Sequence, residues 1–273
     1  MASNPIADIF KIKDLRERVL FTFGVLAIFR LGATIPIPGI NLNALQTYFL
    51  SQQAGAGISV TDYLDFFAGG AFSRFSVFML GIMPYISMSI IMQLLLLVFP
   101  KLKRISEEDG GRKKIQRYTR YGTVVVALIQ SFAVTVYADS IPDAITISRG
   151  LYTFVSMLSV TTGTVFLMWM GEQINQRGIG NGISLLIFSG IVARMPNAVW
   201  LLITRVRSGD LNPVFVIVVF AMFVAVVALV IYEQRGQRKI PIHYAKRVVG
   251  RRMYGAQNTY VPFKINPSGV IPV

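Results

Sequence analysis

Lys101-Leu-Lys-Arg-Ile-Ser-Glu-Glu-Asp-Gly-Gly-Arg-Lys-Lys-Ile-Gln-Arg-Tyr-Thr-Arg120 decides how the chain reads, because it sets eight basic residues between two long apolar runs. The run before it is Phe75 to Phe99, and the run after it is Tyr121 to Ala138. Moving outward, further apolar runs span Val19 to Ile35, Leu151 to Gly171, Ile183 to Ile203 and Pro213 to Tyr232. Each is about 17 to 25 residues, enough at roughly 1.5 Å rise per residue to cross about 30 Å of hydrocarbon as a helix. Charge falls unevenly between them. Lys11, Lys13, Arg16 and Arg18 precede the first run, and Arg177 sits in the fourth gap. Arg235, Arg238, Lys239, Lys246, Arg247, Arg251, Arg252 and Lys264 follow the sixth run. Alternate gaps thus hold 21 of the 27 Lys and Arg. Basic loops stay on the cytoplasmic side during insertion, so the N-terminus is expected inside and the spans alternate from there.

Composition agrees with a polytopic membrane protein. A 53% hydrophobic content with 15% charged residues and a mean hydropathy of +0.57 exclude an ordinary soluble domain. The net charge of +14 suits loop orientation and attraction to anionic lipids. A cytosolic polyanion as partner stays open beside that. With no Cys in the chain, disulfides and thiol chemistry are excluded.

Nothing assembles an enzyme. His243 is the only histidine, no paired carboxylates lie in the runs, and neither a metal nor another cofactor is expected. Gly178-Ile-Gly-Asn-Gly182 superficially resembles a phosphate loop, but it follows an apolar helix and lacks the lysine, so it reads as a tight turn. A secondary transporter or ion channel is the rival class. Coupled pumps place acids, His or Lys near the bilayer midplane, whereas these runs hold no Asp or Glu in their cores. Their polar groups, Ser87, Ser89, Gln93, Gln130, Ser156 and Thr161, more often tie helices together. Arg30 and Arg194 are expected to snorkel toward the outer face.

Run boundaries are also readable. Ser73 is expected to cap the second helix, with Pro84 kinking it from inside and Pro100 ending it. Arg194-Met-Pro-Asn197 interrupts the fifth run. Asn41 to Val60 reads as a loop. Asp62-Tyr-Leu-Asp-Phe-Phe-Ala-Gly-Gly-Ala-Phe72 follows, too short to span and suited to a short helix with Asp62 and Asp65 near its positive end. Such a piece lies in the interface or dips back into a protein-lined cavity. The residues alone favour the interface. Beyond the sixth run, Ile240 to Tyr244 and Thr259 to Phe263 alternate like the arms of a hairpin, with Arg247, Arg251 and Arg252 toward its tip. Ile265-Asn-Pro-Ser-Gly-Val-Ile-Pro-Val273 opens another apolar stretch, so the chain reads as a fragment.

Several blocks, in order, resemble the SecY family, the central subunits of protein-conducting translocation channels. They are Arg30-Leu-Gly-Ala-Thr-Ile-Pro-Ile-Pro-Gly39, Gly81-Ile-Met-Pro-Tyr-Ile-Ser87, Phe99-Pro-Lys-Leu-Lys103 and Glu107-Glu-Asp-Gly-Gly111. Arg177-Gly-Ile-Gly-Asn-Gly-Ile-Ser-Leu185, Tyr244-Ala-Lys-Arg247, Gly250-Arg-Arg252 and Ser268-Gly-Val-Ile-Pro272 continue the series. The resemblance implies an all-α, ten-span fold built from an inverted repeat. This chain would be its N-terminal half with six complete transmembrane helices and a short re-entrant plug helix. Residues 1–18 would form a cytosolic segment, 19–206 the first five-helix half with the plug at 61–72, and 207–235 the sixth span. Residues 236–264 would form a basic cytosolic loop and 265–273 the start of a seventh span.

The same resemblance assigns roles. Ile82, Ile86, Ile187 and Ile191 match a pore ring, although isoleucines at such positions otherwise read as packing or lipid-facing. A narrow ring of branched side chains excludes ions by dewetting yet widens around a threaded chain. Asp62, Tyr63, Leu64, Phe66, Phe67, Ala68, Gly69 and Gly70 match the plug, which argues for the re-entrant placement. Ser87, Gln93 and Gln130 match a lateral gate, or simply join adjacent helices. Arg238, Lys239, Arg247, Arg251 and Arg252 match a docking face for the ribosome or the SecA ATPase, with a solvated basic face as the alternative. SecE and SecG subunits, signal peptides, nascent chains and anionic lipids are the other implied partners, in the bacterial cytoplasmic (inner) membrane.

Overall fold

The computed structural model describes residues 12–53, 65–66, 68–242, 247–249, 252–254 and 259–264. Along them run α1 (Lys13–Gly32), α2 (Leu42–Gln53), α3 (Met83–Val98), α4 (Pro100–Glu107), α5 (Gly111–Asp139) and α6 (Arg149–Arg177). Then come α7 (Gly182–Val192), α8 (Met195–Arg207), α9 (Pro213–Arg235) and four strands, β1 (Gln237–Ile242), β2 (Arg247–Val249), β3 (Arg252–Tyr254) and β4 (Thr259–Lys264). Two units divide the chain, residues 1–198 and 199–273.

Among the described residues, four helical stretches are each long and apolar enough to cross a membrane: Gly111–Asp139, Arg149–Arg177, Gly182–Arg207 and Pro213–Arg235. The third joins α7 to α8, so the Arg194 interruption leaves one span rather than two. α3 and α4 form a fifth candidate only as a pair bent by 103°. The first expected span is shorter than its apolar run, because α1 ends at Gly32 and opens on Lys13, Asp14, Arg16, Glu17 and Arg18.

Small hydroxyl side chains set the packing of α5 against α6. Thr119, Thr123, Ala127, Ser131 and Thr135 recur every four residues along α5 and are all buried. Spacing by four keeps them on one helix face, where small side chains let two backbones approach without a hydrophobic driving force. Ser131 Oγ lies 3.4 Å from Thr161 Oγ1, and Thr135 donates to Ser156 Oγ at 3.4 Å. Thr119, Thr123 and Thr135 also donate back to carbonyls one turn earlier in their own helix.

The second span departs from the sequence reading. Its helix starts at Met83 rather than near Phe75, and residues 68–82 form successive turns. Gly69, Gly70 and Gly81 hold φ of +67°, +89° and +55°, a left-handed backbone that glycine adopts without a Cβ clash. Ser73 therefore caps no helix. Pro84 sits in the first turn of α3, where a missing N–H costs nothing, so it introduces no kink. The turns are satisfied from outside: Ile37 N–H donates to Phe75 O at 2.9 Å and Val77 N–H to Ile35 O at 3.0 Å.

Asn41 to Val60 is likewise not all loop, since α2 occupies Leu42–Gln53. Asn41 Oδ1 accepts the Asn43 N–H at 3.1 Å, a helix-starting contact. Leu45 is buried, with Tyr48 and Phe49 packed beside it. In the second unit, β1 pairs antiparallel with β4 from Gln237 opposite Lys264 to Ile242 opposite Thr259. β2 pairs with β3, Val249 opposite Arg252. The expected hairpin is present, and its base extends further than the alternation suggested.

At Gly163 of α6, an added Cβ would meet the Val77 carbonyl oxygen, part of the turn-forming stretch. Gly163→Ala is expected to cost about 1–3 kcal/mol through overpacking. A lowered thermal unfolding midpoint of the detergent-solubilised protein would register it.

Candidate functional site

A cavity of about 290 Å³ lies within the first unit. Ala68 and Phe72 line it from the turn-forming segment, Ile82 from the start of α3 and Ile187 from α7. Ser87 and Gln130 supply its polar lining, and no charged side chain is among its lining residues. The lining is thus apolar apart from these two neutral polar side chains.

Three of the four ring candidates are gathered. Ile82, Ile86 and Ile187 belong to one apolar cluster with Phe29, Phe78, Leu167 and Leu186. Ile82 precedes the helix proper, but its carbonyl accepts the Ile86 N–H at 3.2 Å, so the pair keeps helical spacing. Ile86 and Ile191 are partly buried one turn further along and are not among the described residues lining the cavity.

Of the plug candidates, Asp62, Tyr63, Leu64 and Phe67 lie outside the described residues. Asp65 and Phe66 are helical and residues 68–70 form a turn, so the described part is shorter in helix than expected. Ala68, Ala71 and Phe72 are buried in a cluster with Ala33, Ile37, Val134, Ala138 and Val160. Phe72 and Phe75 pack on Tyr137 with ring centroids 6.1 and 6.2 Å away. For its described residues, the interfacial placement favoured by the residues alone is therefore overturned: Asp65, Ala68, Ala71 and Phe72 are buried against the helices. Side-chain burial decides it, and sequence could not show that.

Arg30 and Arg194 do not simply snorkel outward. Arg194 Nη2 lies 2.7 Å from Asp65 Oδ2, and Arg30 Nη1 donates to the Gly69 carbonyl at 3.1 Å. Asp65 Oδ1 accepts the Ser73 N–H at 2.9 Å. Sequence reasoning missed this group because its members are scattered along the chain. The available signal was the pairing of arginines at two span ends with an acid in the intervening short segment.

Among the gate candidates, Ser87 and Gln130 both line the cavity, whereas Gln93 is exposed on α3. The glycine turn is structural. Asn181 caps α7 by accepting from Ile183 N–H at 3.1 Å, and Asn175 Oδ1 accepts the Gly182 N–H at 2.7 Å. Thr22 Oγ1 accepts the Ile179 N–H at 3.1 Å, which ties α1 to the turn. At the adjoining ends of α5 and α6, Arg120 Nε lies 2.7 Å from Glu172 Oε1. In the second unit, Arg238 and Lys239 are exposed on β1, and Lys239 Nζ sits 4.7 Å from the Tyr260 ring centroid. Arg247 lies on β2 and Arg252 on β3, and Arg251 lies outside the described residues.

Comparison with known proteins decides the family. A family model described as SecY matches residues 76–273. This chain belongs to the SecY family. The protein translocase subunit SecY of Borreliella burgdorferi is 52% identical over 267 residues, covering 97% of this chain and 60% of the relative. That of Escherichia coli K12 is 46% identical over 280 residues, covering 100% and 62%. That of Buchnera aphidicola is 46% identical, covering 100% of this chain and 78% of the relative. The chain thus spans about three-fifths of the length of the first and second of these SecY relatives. Among solved structures, a protein-conducting channel superposes with a TM-score of 0.61 at 19% identity, over 96% of this chain and 58% of that one. Sec61 in a canine ribosome–channel complex from the endoplasmic reticulum gives 0.57 at 19% identity, over 88% and 54%. The shared fold is the all-α SecY/Sec61 arrangement, of which this chain forms an N-terminal portion.

Gly69 leaves no room for a side chain, since a Cβ would lie 2.8 Å from both Cα and O of Gly190. Gly69→Ala is expected to unseat the segment. With no native Cys in the chain, a single Ala71→Cys reporter then reacts several-fold faster with a water-soluble thiol reagent.

Proposed function

We propose that this chain is part of a passive protein-conducting channel. It passes unfolded secretory polypeptides across the bacterial cytoplasmic membrane and releases membrane segments sideways into it. The observation that carries this is the shared cavity: Ile82 and Ile187 face the same apolar space as Ala68 and Phe72 of the short segment. Branched side chains there form the narrowest part of the path, and the segment stoppers it. Ser87 and Gln130 mark the seam between α3 and α5 through which a signal peptide leaves. The relatives' name, protein translocase subunit SecY, supports the reading.

The N-terminus and the basic loops face the cytosol. Ile86 and Ile191 complete the ring once partner helices close the other wall, and SecE and SecG brace the assembly. The driving force comes from the ribosome or the SecA ATPase, docked on Arg238, Lys239, Arg247, Arg251 and Arg252. Anionic lipids neutralise the remaining basic residues.

Replacing Ile82, Ile86, Ile187 and Ile191 together with Gly is expected to raise resting ion leak at least several-fold in bilayers holding the assembled complex. A transporter would instead lose uptake of its own solute without leaking. The docking face has a separate test. Arg238→Glu with Lys239→Glu weakens ribosome binding, and the log–log salt dependence flattens by roughly 0.7–0.9 for each phosphate no longer neutralised. Unchanged affinity and slope at several salt concentrations would leave these residues as a merely solvated face.

A further inference from the structure

Asp65 is a buried carboxylate of the short segment, its side chain 8% exposed. One oxygen faces Arg194 Nη2 at 2.7 Å, at the break between α7 and α8. The other accepts the Ser73 N–H at 2.9 Å. A few residues on, the Gly69 carbonyl accepts from Arg30 of α1 at 3.1 Å. Arg74 and Arg194 both lie close enough to Arg30 to act on its charge. Guanidiniums therefore gather at this end of the segment, with Asp65 set against them. Gly69 also rests on the backbone of Gly190, where a side chain would not fit.

Apolar burial of Ala68, Ala71 and Phe72 holds the segment without fixing where it sits, because such burial has no direction. A charge-assisted hydrogen bond does have direction, and losing Arg194 strands the buried Asp65 carboxylate, whereas Arg194 itself is 40% exposed. The pair also has an evident way to fail. Its attraction drops as the local dielectric rises, so a hydrated chain entering beside it weakens the interaction. α7 carries Arg194's flank together with Ile187 and Ile191, so widening the ring by moving α7 pulls directly on the pair.

We propose that the Asp65–Arg194 ion pair, reinforced by Arg30 on the Gly69 carbonyl, is a latch that ties the short segment to α7. It sets how readily the pore unseals, and so how strong a signal peptide must be to open it. Both residues act by positioning the segment. The proposal rests on the pore reading above.

The test uses the full-length protein in its assembled complex, carrying Ala68→Cys as the only cysteine. Asp65→Asn and Arg194→Gln are each expected to raise resting conductance in planar bilayers roughly tenfold. Alkylation of the Cys reporter should quicken by a similar factor. The double variant should leak no more than either single one, since both remove the same ion pair. Multiplying effects would overturn the latch, because the two residues would then act separately. Parent-like conductance and labelling in both single variants would also overturn it. An Ile82→Gly complex run in parallel separates the two readings: if it leaks while the latch variants stay tight, only the latch fails. If it too stays tight, the pore reading falls and the latch with it. Should a neutral variant fail to assemble, Arg194→Lys, which keeps the cation, decides by the same labelling: parent-like labelling supports the ion pair, and labelling faster by the full tenfold overturns it.

Discussion

Within hydrocarbon, every backbone N–H and C=O must find a partner inside the protein. Most of this chain meets that demand by being helical. Residues 68–82 do not, and the rest of the first unit is arranged around satisfying them. The strand-like stretch at 35–37 exchanges hydrogen bonds with Phe75 and Val77. Gly163 gives way so that the Val77 carbonyl can approach α6. Arg30 and Asp65 take up groups that those bonds leave over. An irregular segment within a bundle of apolar helices is costly, and these contacts are what offset that cost.

Charge follows a complementary rule. The described ion pairs on α5 and α6 sit at helix ends, Arg120 with Glu172 and Arg149 with Asp139. Between those ends the helices meet through hydroxyls and small residues. Hydroxyls that donate to their own helix carbonyls add little grip, so packing of α5 on α6 rests on close backbone approach. The contact between α5 and α6 therefore carries few fixed charges away from the helix ends.

Much of this was legible in sequence, for stated reasons. Runs of about twenty apolar residues flanked by lysines and arginines admit one interpretation, and α5, α6 and α9 follow it. The glycine turn before α7 was readable because it follows a helix rather than a strand and has no lysine. Phe75 to Leu80 was misread, since apolar residues buried in turns have the same composition as apolar residues facing lipid. α2 was hidden by its glutamines, although Leu45, Tyr48 and Phe49 keep helical spacing. The Asp65 group went unread because only tertiary folding brings α1, the short segment and the fifth span together, although the arginines at the span ends and the acid hinted at it. Of the candidate site, Ile82, Ile187, Ser87 and Gln130 were pointed to by the family resemblance, and the cavity that they line could not be read from the sequence.

The sharp corner after Val98 has a geometric consequence. With α3 and α4 bent by 103° at their junction, α4 runs nearly perpendicular to α3. Lys101, Lys103 and Arg104 on α4 are exposed, as are Arg112, Lys113, Lys114 and Arg117 at the start of α5. A straight continuation would have stacked these charges along the α3 axis. The corner instead sets α4 and its exposed cations nearly at right angles to that axis.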